Sequence, residues 1–305
     1  MKIKFILLFV VFAGVIACQM QSGGKDQTKN MPADTSGVLS KLSGSGYYRD
    51  APYDFSRPQE TYVLPDILRE ISGIAIADST TLYCIQDELG TIFKYNLREK
   101  EVLGLLRFTD TGDFEDIAIR HDSVYVLRSD GTIFYFDQKN FRGKVMQKIL
   151  PVNCTNIEGL TVSPIDRMMY MACKAPLSGE DGTGRQIYRF PSANMGDIKK
   201  AFTVNEDEIS RLASEKYPFL GKISFNPSAI AIHPQTGEKY VLSASSRLIA
   251  VFNDQGLSQL YPLPAGIYYQ PEGLAFTKSG DLFLSSEGKK KGHTPGKIFF
   301  LPRKK

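Results

Sequence analysis

Glu70-Ile-Ser-Gly-Ile-Ala-Ile76, Asp113-Phe-Glu-Asp-Ile-Ala-Ile119, Asn156-Ile-Glu-Gly-Leu-Thr-Val162, Asn226-Pro-Ser-Ala-Ile-Ala-Ile232 and Gln270-Pro-Glu-Gly-Leu-Ala-Phe276 are five versions of one heptapeptide. Each opens on a polar side chain and runs into a short strand in which bulky and small residues alternate. Measured at Ile74, Ile117, Leu160, Ile230 and Leu274, the copies stand 43, 43, 70 and 44 residues apart. Such a period suits a four-stranded propeller blade. The long interval is one period plus 27 residues, too few for a further blade of about 40. The sequence therefore predicts an all-β chain folded as a single propeller of five four-stranded blades, with six as the alternative.

The rest of each repeat supports this reading. Second strands centre on Tyr83, Tyr125, Tyr170, Tyr240 and Phe283, and third strands run through Ile92–Tyr95, Ile133–Phe136, Ile187–Phe190, Leu248–Phe252 and Ile298–Leu301. More polar fourth strands follow at Val102–Phe108, Val145–Leu150, Lys199–Val204 and Leu257–Leu263. The fifth repeat reaches Lys305 without one, and Tyr62-Val63-Leu64 is the spare strand that would close the ring. Of the extra residues, some form a Gly-rich loop over 177–185. The others begin with Asn205 and Glu208, a helix-start signal ahead of Ile209, Leu212 and Ala213, and Pro218 ends that pattern.

The 37 basic and 33 acidic residues are scattered and leave a net charge of +4, so nothing favours nucleic acid as a partner. Lys2 and Lys4 precede an apolar run from Phe5 to Val15, and Ala17-Cys18 follows. This is the layout of a bacterial lipoprotein signal, with Cys18 lipidated after cleavage. The expected organisation is a signal peptide over 1–17, a lipidated polar tether over 18–47 and the propeller over 48–305. The lipid would hold the protein to a membrane in the cell envelope, outside the cytoplasm. Of the remaining cysteines, Cys154 and Cys173 fall at one end of the third repeat, where a bridge or two free thiols can be written; Cys84 reads as core.

Propeller ligands gather where first strands begin and second strands end. The strand starts supply Ser72, Glu115, Glu158, Ser228 and Glu272, preceded by Glu70, Asp113, Asn156, Asn226 and Gln270. Second-strand ends add Asp87, Glu88, Arg128, Lys174 and Glu287. Carboxylates and amides in one ring suit a hard cation such as Ca²⁺, with Glu158, Glu272 and Glu287 as candidate ligands. Asp87, Glu88, Glu115, Asn156 and Asn226 would line the site, with Arg128 and Lys174 placed to hold an anionic group. A plainer role stands beside this one, in which each Glu orients a neighbouring blade through backbone N–H groups. His121, His233 and His293 fall away from the ring and no Gly-x-Ser-x-Gly elbow occurs, which disfavours serine hydrolysis.

Ile71-Ser72-Gly73-Ile74-Ala75, Asp87-Glu88-Leu89-Gly90, Ile157-Glu158-Gly159-Leu160 and Pro271-Glu272-Gly273-Leu274-Ala275 resemble the SdiA-regulated (YjiK-like) family of bacterial envelope β-propellers over about residues 58–303. The resemblance implies a propeller in the envelope and carries no defined activity. Glu-Gly-Leu-Ala also heads inner strands of gluconolactonase-like and strictosidine synthase-like hydrolases. The expected function is a binding or scaffolding module for a small molecule or an envelope protein. The alternative is a metal-dependent lactone or ester hydrolase in which a mouth-bound Ca²⁺ polarises a carbonyl. Replacing Cys18 by Ser is expected to abolish lipidation, moving the protein from the detergent phase to the aqueous phase on Triton X-114 partitioning. Unchanged partitioning would overturn the lipoprotein reading.

Overall fold

The computed structural model describes residues 46–139, 144–176, 184–221, 223–290 and 294–305. Cys18, the expected signal segment, the expected tether up to residue 45, the Gly-rich stretch 177–183 and His293 lie outside them. Strands β2 (Ile71–Ile76), β3 (Thr81–Gln86), β4 (Leu89–Asn96) and β5 (Glu101–Thr111) form the first blade. The second contains β6 (Phe114–Arg120), β7 (Ser123–Arg128), β8 (Thr132–Asp137) and β9 (Met146–Ile149). The third contains β10 (Cys154–Val162), β11 (Met169–Pro176), β12 (Gly184–Phe190) and β13 (Lys199–Asn205). The fourth contains β14 (Ala229–Ile232), β15 (Lys239–Ser243), β16 (Leu248–Asn253) and β17 (Gly256–Pro262). In the fifth, β18 (Gln270–Phe276), β19 (Leu282–Glu287) and β20 (Lys297–Leu301) are completed by β1 (Glu60–Val63).

All pairings within the blades are antiparallel, and the inner strands touch in order around the ring: β2 on β6, β6 on β10, β10 on β14, β14 on β18, and β18 back on β2. The chain is a five-bladed propeller. Closure is the one read from the spare strand, with Tyr62 opposite Ile298 and Thr61 opposite Phe299. The core follows from this layering. Among the described residues, the buried apolar side chains fall into five clusters, one at each junction between blades.

Neighbouring inner strands meet backbone to backbone. A Cβ at Gly73 would stand 2.7 Å from the Asp116 Cα, one at Gly159 2.9 Å from the Ile230 nitrogen, and one at Gly273 3.0 Å from the Ser72 carbonyl oxygen. Only a residue without a side chain fits at those three places. The second repeat has Asp116 where the others have Gly or Ala, and its carboxylate serves as a clip. One oxygen accepts the Leu160 N–H of the third blade at 2.7 Å and the other accepts the Ile117 N–H at 2.8 Å. Ser72 Oγ makes a comparable tie, donating to the Phe114 carbonyl of the second blade at 2.8 Å.

The extra residues between the third and fourth blades form helix α1 (Glu206–Lys216), capped by the Asn205 side chain, which accepts from the N–H groups of Asp207 and Glu208. Ile209 and Ala213 are its buried face, and a short 3₁₀ turn at Pro218–Leu220 follows it. Before β1, Tyr48, Tyr53 and Phe55 lie in the core between the fourth and fifth blades. Tyr53 donates its hydroxyl to the Gly280 carbonyl at 2.5 Å, and Lys304 N–H donates to the Pro52 carbonyl at 2.9 Å.

Burying each of Tyr48, Tyr53, Phe55, Tyr62 and Leu64 contributes roughly 1.5–3 kcal/mol. Together they rival the whole stability of a typical domain, roughly 5–15 kcal/mol. Deleting residues 46–66 is therefore expected to abolish cooperative thermal unfolding, whereas deleting 19–45 leaves the melting point unchanged; equal melting points for the two deletions would contradict this closure. Asp116→Ala strands two buried N–H groups at about 1–3 kcal/mol each. Chemical denaturation should show a loss of roughly 2–4 kcal/mol for it, and a loss below about 1 kcal/mol would mean that Asp116 is not the clip.

Candidate functional site

The strand-start glutamates owe their direction to an irregularity that recurs in the blades. In β6, Phe114 pairs with Arg128 and Asp116 with Leu127, so Glu115 is the extra residue of a β-bulge. Glu158 occupies the same place between Ile157 and Gly159, and Glu272 between Pro271 and Gly273. In β2 the pairing skips from Ile71 to Ile74, and in the fourth blade both Ser228 and Ala229 face Leu242. A bulge turns its extra side chain out of the normal alternation. Here it gives Glu115, Glu158 and Glu272 a common direction at one mouth of the channel. The floor beneath is apolar, because the channel continues between Ile74, Ile117, Leu160 and Leu274 to the other end of the ring.

The partners of each carboxylate follow from the same register. Glu158 is buried; its Oε1 accepts from Lys174 Nζ at 2.6 Å and from Asn156 Nδ2 at 2.8 Å. Asn156 has φ of 62°, a left-handed conformation that Asn tolerates better than most residues. Glu272 accepts from Gln270 Nε2 at 3.0 Å. Around the mouth, backbone bonds fix the second-strand ends: the Asp87 carbonyl accepts the Phe114 N–H at 2.8 Å and the Ser129 carbonyl accepts the Ile157 N–H at 3.0 Å. Asp87 Oδ1 is buried without a hydrogen-bond partner among the described residues.

Burial and mutual repulsion raise these acids together. Burial, then Glu158, pushes Glu272 up to about 8 against the opposing pull of Lys174, Gln270 and Ser228. Burial, then Glu272 and Asp87, pushes Glu287 up to about 9. Burial, with Glu70 and Glu88 behind it, lifts Asp87 to about 6. Glu115 is driven well above the usual carboxylate range by burial and by Glu158, Asp113 and Glu272. Burial raises Glu158 too, against Lys174 and Asn156. For Lys174, burial opposes the charge, but Glu158, with Glu272 and Glu115 behind it, overrides this and holds it above the ordinary lysine value.

The ring thus brings together Glu115, Glu158, Glu272, Glu287, Asp87, Asn156 and Lys174. Glu88 stands exposed at the rim. Arg128 is not part of the group: it reaches Asp130 at 3.1 and 2.7 Å and Thr132 Oγ1 at 3.1 Å, and lies over the Phe134 ring. With Arg128 tied to its own turn and Lys174 paired with Glu158, the expected anion-holding pair is not formed. Asn226 is held by Arg185, whose Nε and Nη2 donate to its Oδ1 at 3.3 and 3.0 Å, and Arg185 also pairs with Glu206 at 3.4 Å. Sequence reading placed this arginine at the end of the Gly-rich loop and gave it no site role, because it carries no repeat signal. It likewise gave none to Lys290, which pairs with Glu70 at 2.7 Å.

As to a hard cation, the residues fit in part. The orphaned Asp87 oxygen and the raised Glu272 and Glu287 leave negative charge to be met, while the Lys174 ammonium already occupies Glu158. Among the described residues no three acidic, His or Cys side chains converge on a single ion position. Cys154 and Cys173 are joined as a disulfide, Cα to Cα 6.1 Å, beside Asn156 and Lys174, and Cys84 is a buried free thiol. His233 is buried at the opposite end of the channel, its Nδ1 accepting from the N–H groups of Gln235 and Thr236.

No family model and no curated protein matches the chain. Among solved structures, glutaminyl cyclase of Myxococcus xanthus matches with a TM-score of 0.55 at 12% identity, covering 80% of this chain and 94% of that one. A chain of a nidogen/laminin complex matches at 0.47 and 12% identity, covering 71% and 72%. Virginiamycin B lyase from Staphylococcus aureus matches at 0.43 and 15% identity, covering 74% and 66%. At such identities the likeness to the cyclase is one of fold.

Proposed function

We propose that the chain is a lipid-anchored envelope binding module whose channel mouth takes a positively charged ligand, the simplest being a divalent cation such as Ca²⁺. The lipid anchor rests on the Phe5–Cys18 segment and on the envelope family that the repeats resemble. The observation that carries the binding role is the ring of bulge-borne carboxylates over an apolar floor, in which Lys174 answers Glu158 and leaves Glu115, Glu272, Glu287 and Asp87 repelling one another. The side of the mouth between Asp87, Glu272 and Glu287 is where added positive charge gains most.

Protons partly fill that role in the free protein. Glu272 and Glu287 have folded values of about 8 and about 9 against the ordinary 4.5. An acid raised on folding adds stability that is fully present below its unfolded value and is lost as pH rises through its folded value. The cation-free protein should therefore melt progressively lower as pH rises from about 5 to about 9. A cation that binds the ionised mouth displaces these protons, so it should stabilise most at the alkaline end, by about 2.7 kcal/mol at a hundredfold excess over its Kd.

Thermal melts across this pH range with EDTA, Ca²⁺ or spermine test the reading. The expected result is a melting point that falls with pH in EDTA and is restored by Ca²⁺ or spermine, with both effects flattened in Glu272→Gln/Glu287→Gln. If neither cation shifts the melting point at alkaline pH, the cationic-ligand reading fails.

A further inference from the structure

Of the four intervals between successive repeats, three are 43 or 44 residues long, and the one from Leu160 to Ile230 carries 27 more. Helix α1, which they supply, is fastened to the outer strand of the fourth blade: Tyr217 donates its hydroxyl to the Leu260 carbonyl at 2.8 Å and Lys216 Nζ reaches Gln259 at 2.6 Å. Beside it a groove of about 680 Å³ runs between β13 and the β16–β17 hairpin, opening among the turns at the end of the ring opposite the acidic mouth. Ordinary ligand sites span roughly 300–1,000 Å³.

The lining has two parts. The floor is apolar, with one partly exposed aromatic ring, Phe202, backed by buried Phe252 at a ring-centroid distance of 5.0 Å and by buried Tyr170. Charged groups form the rim, and they are largely matched. Arg189 stands 3.9 Å from Asp166, which also accepts the Tyr170 hydroxyl at 2.8 Å, and Lys239 pairs with Asp254 at 2.9 Å. Glu208 from α1 adds one further carboxylate.

This combination selects by exclusion. A phosphorylated ligand would meet Asp166, Asp254 and Glu208 with both bases already engaged, and like charges at such range repel. A wholly apolar ligand would bury the rim groups without hydrogen bonds, which is costly. A polycation would gain little from a rim whose charges nearly cancel. A neutral polyhydroxy ligand suffers none of these penalties. A C–H face of it can lie on the electron-rich face of Phe202. Its hydroxyls, each both donor and acceptor, can bond to carboxylate and guanidinium alike. We infer that this groove is a binding site for a neutral oligosaccharide, separate from the acidic mouth.

The test is calorimetric titration of the mature chain with a panel of neutral tetrasaccharides built on glucose, mannose, galactose or N-acetylglucosamine. At least one is expected to bind with a Kd between roughly 1 μM and 1 mM, the range of modest affinities. Phe202→Ala and Arg189→Ala should each weaken that binding tenfold or more, while Glu272→Gln at the mouth leaves it unchanged. Arg189 is half-exposed, so its variant keeps the test decisive should Phe202→Ala fail to fold. Binding by no member of the panel, or binding unaltered in Arg189→Ala, would overturn the inference.

Discussion

Inner strands of neighbouring blades approach until backbone meets backbone, and the rest of the molecule is arranged around that contact. Gly73, Gly159 and Gly273 permit it by having no side chain. Asp116 permits it differently, because one oxygen of its carboxylate accepts a hydrogen bond from the next blade while the other accepts the N–H of Ile117 in its own strand. A ring of five has little room at its axis, and the bulges are the local answer: each adds a residue that cannot stay in the pairing and swings to the mouth. The same constraint that closes the ring therefore creates the ring of glutamates.

The carboxylates then inherit their electrostatics from the fold. Set above an apolar channel, they cannot be fully hydrated, and two lysines, Lys174 on Glu158 and Lys290 on Glu70, leave much of their repulsion uncompensated. The disulfide between Cys154 and Cys173 ties together the two strands that carry Asn156 and Lys174, so the compensated third-blade glutamate is also the most firmly framed. The side around Asp87 and Glu287 has no such cross-link among the described residues, and burial and neighbouring acids raise both groups there against the pull of Lys290.

Much of the architecture was legible because it is repetitive: five heptapeptides, at intervals of 43 or 44 residues in three cases out of four, imply five equivalent strands, and a spare strand before the first repeat implies closure. Residues equivalent in the repeat converge in space, which is why Glu115, Glu158 and Glu272 could be grouped. What a repeat cannot reveal is the neighbour from outside it. Arg128 stands opposite Phe114 as Cys173 stands opposite Ile157, one place short of Lys174, and Asp130, two residues along, takes its guanidinium. The tie from Arg185 to Asn226 spans 41 residues. The one visible signal that went unread was Asp116, an acid at a position otherwise reserved for Gly or Ala.

Completion of the last blade by β1 joins residues 60–63 to residues 297–301. Pairing across nearly the whole chain has a kinetic meaning, because contacts of such high sequence separation are slow to form. A chain emerging from its N-terminus presents Tyr62 and Leu64 long before Ile298 exists. The first four blades can assemble on local hairpins, but the ring stays an open arc with an unpaired edge until the final strand arrives. The earliest part of the propeller to appear is thus the last to find its place.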